Sequence, residues 1–194
     1  MLEDILIPLI VICLTELGDK TQLSVLLLSS KTKKQNHLDL LFGIMLAFLV
    51  VDGIAILLGE WIKYLATTNL INILSGIVFV IFGILILRGK KEESKIKNFN
   101  FKNPFYSGFV LIFLSEWGDK TQIVSGLFAT KYNGLMVLIG VMVALCLVSV
   151  MSIYLGRFVS DKIEEKTMVK IAGILFILIG VSFIFSYMNP IFLM

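Results

Sequence analysis

Six long apolar segments, separated by short polar ones, make up most of the chain. They cover roughly residues 5–29, 38–60, 70–88, 105–129, 133–156 and 168–188. A helix needs about 20 apolar residues to cross the hydrocarbon core of a bilayer, and each segment approaches or exceeds that length. The pattern therefore predicts an all-α integral membrane protein with six transmembrane helices in a single membrane domain, residues 1–194.

Composition agrees with a membrane protein and excludes an ordinary soluble domain. The chain is 58% hydrophobic and 16% charged, with a mean hydropathy of +0.96, whereas soluble domains are about 25% charged. The net charge of +3 does not indicate nucleic acid, because the basic residues fall in short loops between apolar segments. The lipid bilayer is the expected partner, and the sequence leaves open whether the chain forms a homo-oligomer.

The distribution of lysine and arginine predicts the orientation. The loops after helices 1, 3 and 5 hold thirteen of these residues, and the loops after helices 2 and 4 hold only Lys63 and Lys131. Positively charged loops are retained in the cytoplasm. We therefore expect a cell-membrane protein with both termini outside the cytoplasm.

The chain contains an internal repeat. Residues 15–31 and 115–131 share eight of seventeen positions at an offset of 100, and residues 75–83 match residues 172–180 at an offset of 97. The sequence divides into a first repeat (1–88), a cytoplasmic linker (89–103) and a second repeat (104–194). Because each repeat has three helices, an odd number, the second enters the membrane from the opposite side. The prediction is two inverted three-helix repeats, a common transporter architecture.

Each repeat carries the acidic motif E-x-G-D-K-T-Q inside its first apolar segment. Charges at the bilayer centre cost at least about 2.5–3.5 kcal/mol each, so they call for a functional or pairing explanation. On an unbroken helix the motif's Glu, Asp and Gln, with the hydroxyl residue before the Glu, share one face. The two faces consist of Thr15, Glu16, Asp19 and Gln22, and of Ser115, Glu116, Asp119 and Gln122.

Two such faces, meeting between the repeats, suit a hard divalent cation such as Ca²⁺, Mg²⁺ or Mn²⁺, which takes oxygen ligands. The motifs contain no His or Cys, which argues against zinc or copper(I). Four carboxylates carry −4 and the two motif lysines +2, so one divalent cation or two protons neutralise the site. Crowded carboxylates in a low dielectric do not all ionise at once. Metal and protons would then compete for one site, as an antiporter requires.

Other polar positions have more than one interpretation. Lys20 and Lys120 follow Glu16 and Glu116 by four residues, the spacing of a helical ion pair, so they either neutralise these glutamates or take a direct part in transport. Gly18 and Gly118 either break the helix or allow close helix packing. Thr21 and Thr121 reach the site only if the helix unwinds. Asp52 is a proton relay, a residue of the site wall or a group satisfied within the bundle.

A duplicated E-x-G-D-[KR]-[ST] motif in helices 1 and 4 of a six-helix chain resembles the calcium/manganese cation antiporter family, once called uncharacterised protein family sixteen and related to the lysine-exporter superfamily. The resemblance covers essentially the whole chain. It implies that the residues matching the motif form the cation site. It also implies a secondary transporter, not an enzyme, that exports Mn²⁺ or Ca²⁺ from the cytosol in exchange for protons, with the metal as substrate and no cofactor.

Two alternatives stay open at this point. The broader superfamily suggests an exporter of a small organic cation such as an amino acid, which needs a cavity larger than an ion. An intramembrane aspartyl protease also places two aspartates on neighbouring helices, but the Glu and Lys beside each Asp would disturb the shared proton of such a dyad.

Overall fold

The structure is a computed structural model that describes residues 2–17, 19–65, 67–88, 103–155 and 165–188. All regular elements in these ranges are helical. They are α1 Leu2–Glu16, α2 Lys20–Lys31, α3 His37–Leu65 with a preceding 3₁₀ turn Lys34–Asn36, α4 Thr68–Leu87, α5 Pro104–Glu116, α6 Lys120–Lys131, α7 Gly134–Val150, which continues as a π-helical turn Met151–Leu155, and α8 Glu165–Met188.

Two of the six apolar segments are not continuous helices. Segment 5–29 forms α1 and α2, and segment 105–129 forms α5 and α6, each with a break inside its acidic motif. An unbroken helix, on which the motif residues would share one face, is therefore not what forms, and the alternative of a broken helix is. In the second motif the break includes Gly118, whereas Gly18 lies outside the described residues, as does most of the predicted linker (89–102).

Membrane-spanning capacity is clearest for three described helices. Lys34–Leu65, Thr68–Leu87 and Gly134–Tyr154 are each long and apolar enough to cross a bilayer, and Pro104–Glu116 and Lys170–Phe185 are shorter apolar helices. The sequence predicts six spans, and the helix breaks explain part of the difference. A segment split into helices of 15 and 12 residues no longer contains one helix of spanning length. The described chain is thus all-helical, with several helices suited to a membrane.

Glycines set the closest approach between α4 and α8. A Cβ built on Gly76 would lie 2.7 Å from the carbonyl oxygen of Gly180, and one on Gly83 would lie 2.8 Å from that of Gly173. Since 76 meets 180 and 83 meets 173, the two helices run antiparallel. Small residues that let backbones touch are the usual means of helix association in membranes.

The remaining helices also pack mainly across the two sequence halves. Helix α3 packs against α5, α6 and α7, and α1 packs against α7. Gly43 on α3 meets the carbonyl of Phe105, and Gly140 on α7 meets that of Ile5. An aromatic cluster fills the space between α4, α6 and α8, with the Phe79 ring 5.1–5.5 Å from those of Phe128, Phe176 and Phe183. Each half therefore depends on the other for its core.

The close contact at Gly180 gives a testable prediction. A Cβ there would lie 2.7 Å from the Gly76 oxygen, so Gly180→Ala should lower the free energy of unfolding, by about 1–3 kcal/mol as for other overpacked sites. Gly53 on α3 is the matched control, because a Cβ there meets nothing within 4 Å. Gly53→Ala should leave stability unchanged or raise it by up to ~1 kcal/mol. The measurement is the midpoint of heat-induced loss of folded protein in detergent; equal midpoints for the two variants would contradict the packing described.

Candidate metal site

The two motifs share one backbone arrangement. Helices α1 and α5 end at Glu16 and Glu116, and α2 and α6 begin at Lys20 and Lys120. In each break the Asp N–H donates to the Glu carbonyl at 3.1 Å. The Asp backbones are extended, with φ/ψ of −71°/158° at Asp19 and −77°/167° at Asp119. The repeat in sequence is thus also a repeat in local structure.

Gly118 shows why the motif contains glycine. Its φ is +82°, in the left-handed region, which residues other than glycine rarely adopt. An added Cβ would meet nothing within 4 Å. The backbone conformation, not space, requires glycine there.

The breaks place helix ends inside the protein, where discontinuous helices commonly bind ions in transporters. Asp19 and Asp119 occupy the N-cap positions of α2 and α6, yet neither side chain makes the capping hydrogen bond. An N-cap aspartate ordinarily accepts such a bond. Neither carboxylate is therefore committed to capping its own helix.

Three of the four motif carboxylates converge. Glu16, Asp19 and Glu116 each offer a carboxylate oxygen, and these oxygens all lie within 4.8 Å of one another. Glu16 is 0% exposed and Glu116 2% exposed. Ca²⁺–oxygen distances of about 2.3–2.6 Å separate two ligands of one ion by at most about 5 Å. The three oxygens are close enough to share one cation.

The two glutamates are held by threonines from the opposite motif. The Thr121 hydroxyl donates to Glu16 Oε1 at 2.6 Å, and the Thr21 hydroxyl bonds to Glu116. Among the described residues, neither Glu16 Oε2 nor Glu116 Oε1 has a hydrogen-bond partner, and both atoms are buried. A buried carboxylate oxygen without a partner is costly, so these two atoms favour a proton or a cation.

Lys120 pairs across the motifs and not with the glutamate of its own motif. Its Nζ lies 2.8 Å from Asp19 Oδ1. The predicted helical pair with Glu116 is wrong for Lys120, because the helix breaks between the two residues. The side chain of Lys20 lies outside the described part of the chain. Asp119 is near enough to act electrostatically on both Glu16 and Lys120.

The glutamines bond to their surroundings. Gln22 Oε1 accepts from Ser152 in the π-helical turn at 2.7 Å. Gln122 Oε1 accepts from the Gly118 N–H at 2.7 Å, and its Nε2 donates to the Val51 carbonyl at 3.1 Å. The Gln122 oxygen thus braces the break at Gly118, whereas the Gln22 oxygen ties α2 to the π-helical turn. The role of both glutamines as metal ligands stays a prediction.

The hydroxyl residues before the glutamates do not join the carboxylates. Thr15 donates to the carbonyls of Val11 and Ile12 in its own helix, and Ser115 is exposed. Both positions belonged to the predicted continuous face, which the helix breaks remove.

Asp52 is buried beside the second motif helix. Its Oδ1 accepts from Ser125 on α6 at 2.8 Å, and the residue is 2% exposed. Asp119 acts on it electrostatically. Sequence reasoning did not single out Ser125 or Ser152; their only signal was a hydroxyl within an apolar segment.

Comparison with known proteins matches this chain to the family described as "Divalent cation/proton antiporter GDT1", over residues 4–94 and 104–190. The chain belongs to this family. It is a transporter family, which confirms the expected non-enzymatic role and removes the protease alternative. No solved structure matches the chain.

Several individual proteins are similar over nearly their full length. A GDT1-like protein of Schizosaccharomyces pombe is 26% identical, covering 88% of this chain and 85% of its own. A Vibrio cholerae protein named "Putative manganese exporter" is 27% identical, covering 91% and 88%. A GDT1-like protein of Synechocystis is 27% identical, covering 89% and 92%.

The crossed threonine bonds predict a specific loss of stability. Thr121→Val removes the donor to Glu16 Oε1 and leaves that buried oxygen without a partner, which costs about 1–3 kcal/mol. Thr121→Ser keeps the hydroxyl and should retain most of the stability. The measurement is again the unfolding midpoint in detergent. If Ser and Val lower the midpoint equally, packing of the Thr methyl group and not the hydrogen bond is what matters.

Proposed function

We propose that this antiporter exports Mn²⁺ from the cytosol in exchange for protons, with Glu16, Asp19, Glu116 and Asp119 as the ion-binding carboxylates. The observation that carries the proposal is the convergence of the Glu16, Asp19 and Glu116 oxygens within 4.8 Å. The motif threonines, glycines and glutamines then act as the frame that holds these carboxylates.

The ligand chemistry supports a hard divalent ion. The converging atoms are carboxylate oxygens, which suit Mn²⁺ and Ca²⁺. Manganese, and export as the direction, are favoured by the relative named as a manganese exporter. The closeness of the three oxygens disfavours an amino acid or other organic cation, which needs more room between its ligands.

Charge balance supports the exchange of two protons for one ion. The two partnerless oxygens belong to Glu16 and Glu116, and both lie in the buried core of the site. The four motif carboxylates carry −4 and the two motif lysines +2. Two protons on the glutamates, or one divalent cation between them, neutralise the remaining charge of −2. The empty, fully ionised site would hold two uncompensated charges in a low dielectric, so ion movement without exchange should be slow.

The packing supports two inverted repeats, residues 1–88 and 104–194, with six spans. The pair Gly43–Phe105 corresponds to Gly140–Ile5 at the same offsets of 97 and 100 that relate the repeats in sequence. Antiparallel α4 and α8 meet through corresponding glycines. Rocking of such halves about a central site would give alternating access.

Proton-coupled Mn²⁺ transport is the direct test. In proteoliposomes with an acidic lumen, external Mn²⁺ should enter several-fold faster than without a pH gradient, and the lumen should become more alkaline. With two protons per ion, an imposed K⁺ diffusion potential should not change the rate. Glu16→Gln should slow uptake by at least about tenfold, a loss of ~1.4 kcal/mol. Glu3→Gln, at an exposed position, is the matched control.

The same assay tests the proposed relay role of Asp52. Asp52→Asn should retain Mn²⁺ binding and reduce the acceleration of Mn²⁺ uptake by the pH gradient. The Asp52 carboxylate accepts a hydrogen bond from Ser125 and interacts electrostatically with Asp119, so it is placed to pass protons to the site. Unchanged acceleration would show that Asp52 only fills the bundle interior. Wild-type Mn²⁺ flux that ignores pH gradients would make the protein a uniporter and refute exchange.

The proposed orientation has its own measurement. In a chain whose Cys13 and Cys146 are replaced by Ala, a cysteine added at either terminus should react with an impermeant thiol reagent on intact cells. A cysteine replacing Lys95 in the linker should react only after permeabilisation. The reverse pattern would overturn the predicted topology.

A further inference from the structure

Lys120 lies where the transported ion would bind. It is the first residue of α6, and its side chain crosses to the other motif, with Nζ 2.8 Å from Asp19 Oδ1. Asp19 is also one of the three residues whose carboxylate oxygens converge within 4.8 Å. The ion pair and the candidate ion site thus share a carboxylate.

Geometry makes the ammonium and a divalent ion competitors. A metal ligated by Asp19, Glu16 and Glu116 would lie about 2.0–2.6 Å from an oxygen of each. With its nitrogen 2.8 Å from Asp19 Oδ1, the ammonium would then be in direct repulsion with that metal. The ammonium also acts electrostatically on Glu16. Both cations are attracted to the same group of carboxylates and cannot be close to it together without a large repulsion.

Lys120 is partly exposed, so its side chain has room to withdraw from Asp19. Its side chain is 27% exposed and that of Asp19 15% exposed, whereas Glu16 and Glu116 are fully buried. The Lys120–Asp19 pair is therefore at the accessible edge of the site. A flexible four-carbon stem allows the ammonium to withdraw while it stays charged.

We propose that Lys120 is a tethered counter-ion that holds Asp19 in the metal-free state and is displaced from it when metal binds. The inference rests on the proposed function. It gives Lys120 a distinct part in exchange: the lysine keeps Asp19 paired while the site is without metal, and it weakens metal binding so that the ion can be released.

The first experiment compares Mn²⁺ affinity of purified variants in detergent. Lys120→Gln removes the competitor and should tighten Mn²⁺ binding by about tenfold or more. Lys120→Arg keeps the charge and pairs with a carboxylate through two parallel bonds, so it should bind Mn²⁺ no tighter than wild type. Lys34→Gln, which removes an exposed charge elsewhere, should change affinity less than about twofold.

The second experiment needs no variant. Wild-type protein is acetylated briefly with and without Mn²⁺, and modification of Lys120 is quantified by mass spectrometry relative to the exposed Lys34. Displacement predicts that Mn²⁺ raises Lys120 modification several-fold. Unchanged or lowered modification would mean that the ammonium stays paired with Asp19 when the metal is bound.

Each outcome decides something. If Lys120→Gln binds Mn²⁺ no tighter than wild type, or if Mn²⁺ leaves unchanged or lowers the modification of Lys120, the inference is overturned while the proposed function stands. Wild-type protein that binds neither Mn²⁺ nor Ca²⁺ would overturn both together.

Discussion

Burial of two glutamate carboxylates in an apolar helix bundle is the constraint on which the site depends. Glu16 and Glu116 are 0% and 2% exposed, and each has one oxygen without a partner in the described structure. An isolated buried charge is far more costly than the few kcal/mol by which a protein is stable. The glutamates must therefore carry a proton, a cation or both in turn. The helix breaks and the crossed threonines hold these carboxylates in place, and under the proposed exchange they would support that alternation.

Among the described residues, each motif glutamate is hydrogen-bonded by the threonine of the other half. Five residues separate Glu16 from Thr21, which on a continuous helix would point them about 140° apart. With the helix broken, Thr21 bonds instead to Glu116 and Thr121 to Glu16. The most extensive packing likewise joins the two halves, through glycine contacts such as Gly76 with Gly180. The polar site and the apolar core thus both require the halves to fold together.

Much of this could be predicted from the sequence, because hydropathy, charge and the repeat are properties of the chain itself. The helical membrane class and the antiporter family are confirmed, and the convergence of Glu16, Asp19 and Glu116 agrees with the predicted meeting of the motifs. The sequence left open whether the helix breaks inside each motif, since a glycine such as Gly118 fits both a helix break and a close helix contact. Some contacts join residues far apart in the chain, and residue spacing in the sequence does not predict them. They are Lys120–Asp19, Ser125–Asp52 and Ser152–Gln22.

The two halves also differ in the polar groups beside the site. Next to Gln122, helix α3 presents the Val51 carbonyl, and the adjacent Asp52 bonds to Ser125. Next to Gln22, the second half instead presents Ser152 on a π-helical turn, and the residue that corresponds to Ser125 is Val25. One half therefore carries an additional buried carboxylate and the other a hydroxyl. A site opened by moving one half meets different chemistry from a site opened by moving the other. Although the four motif carboxylates come from equivalent positions of the sequence repeat, protons and metal would therefore meet different neighbouring groups in the two halves.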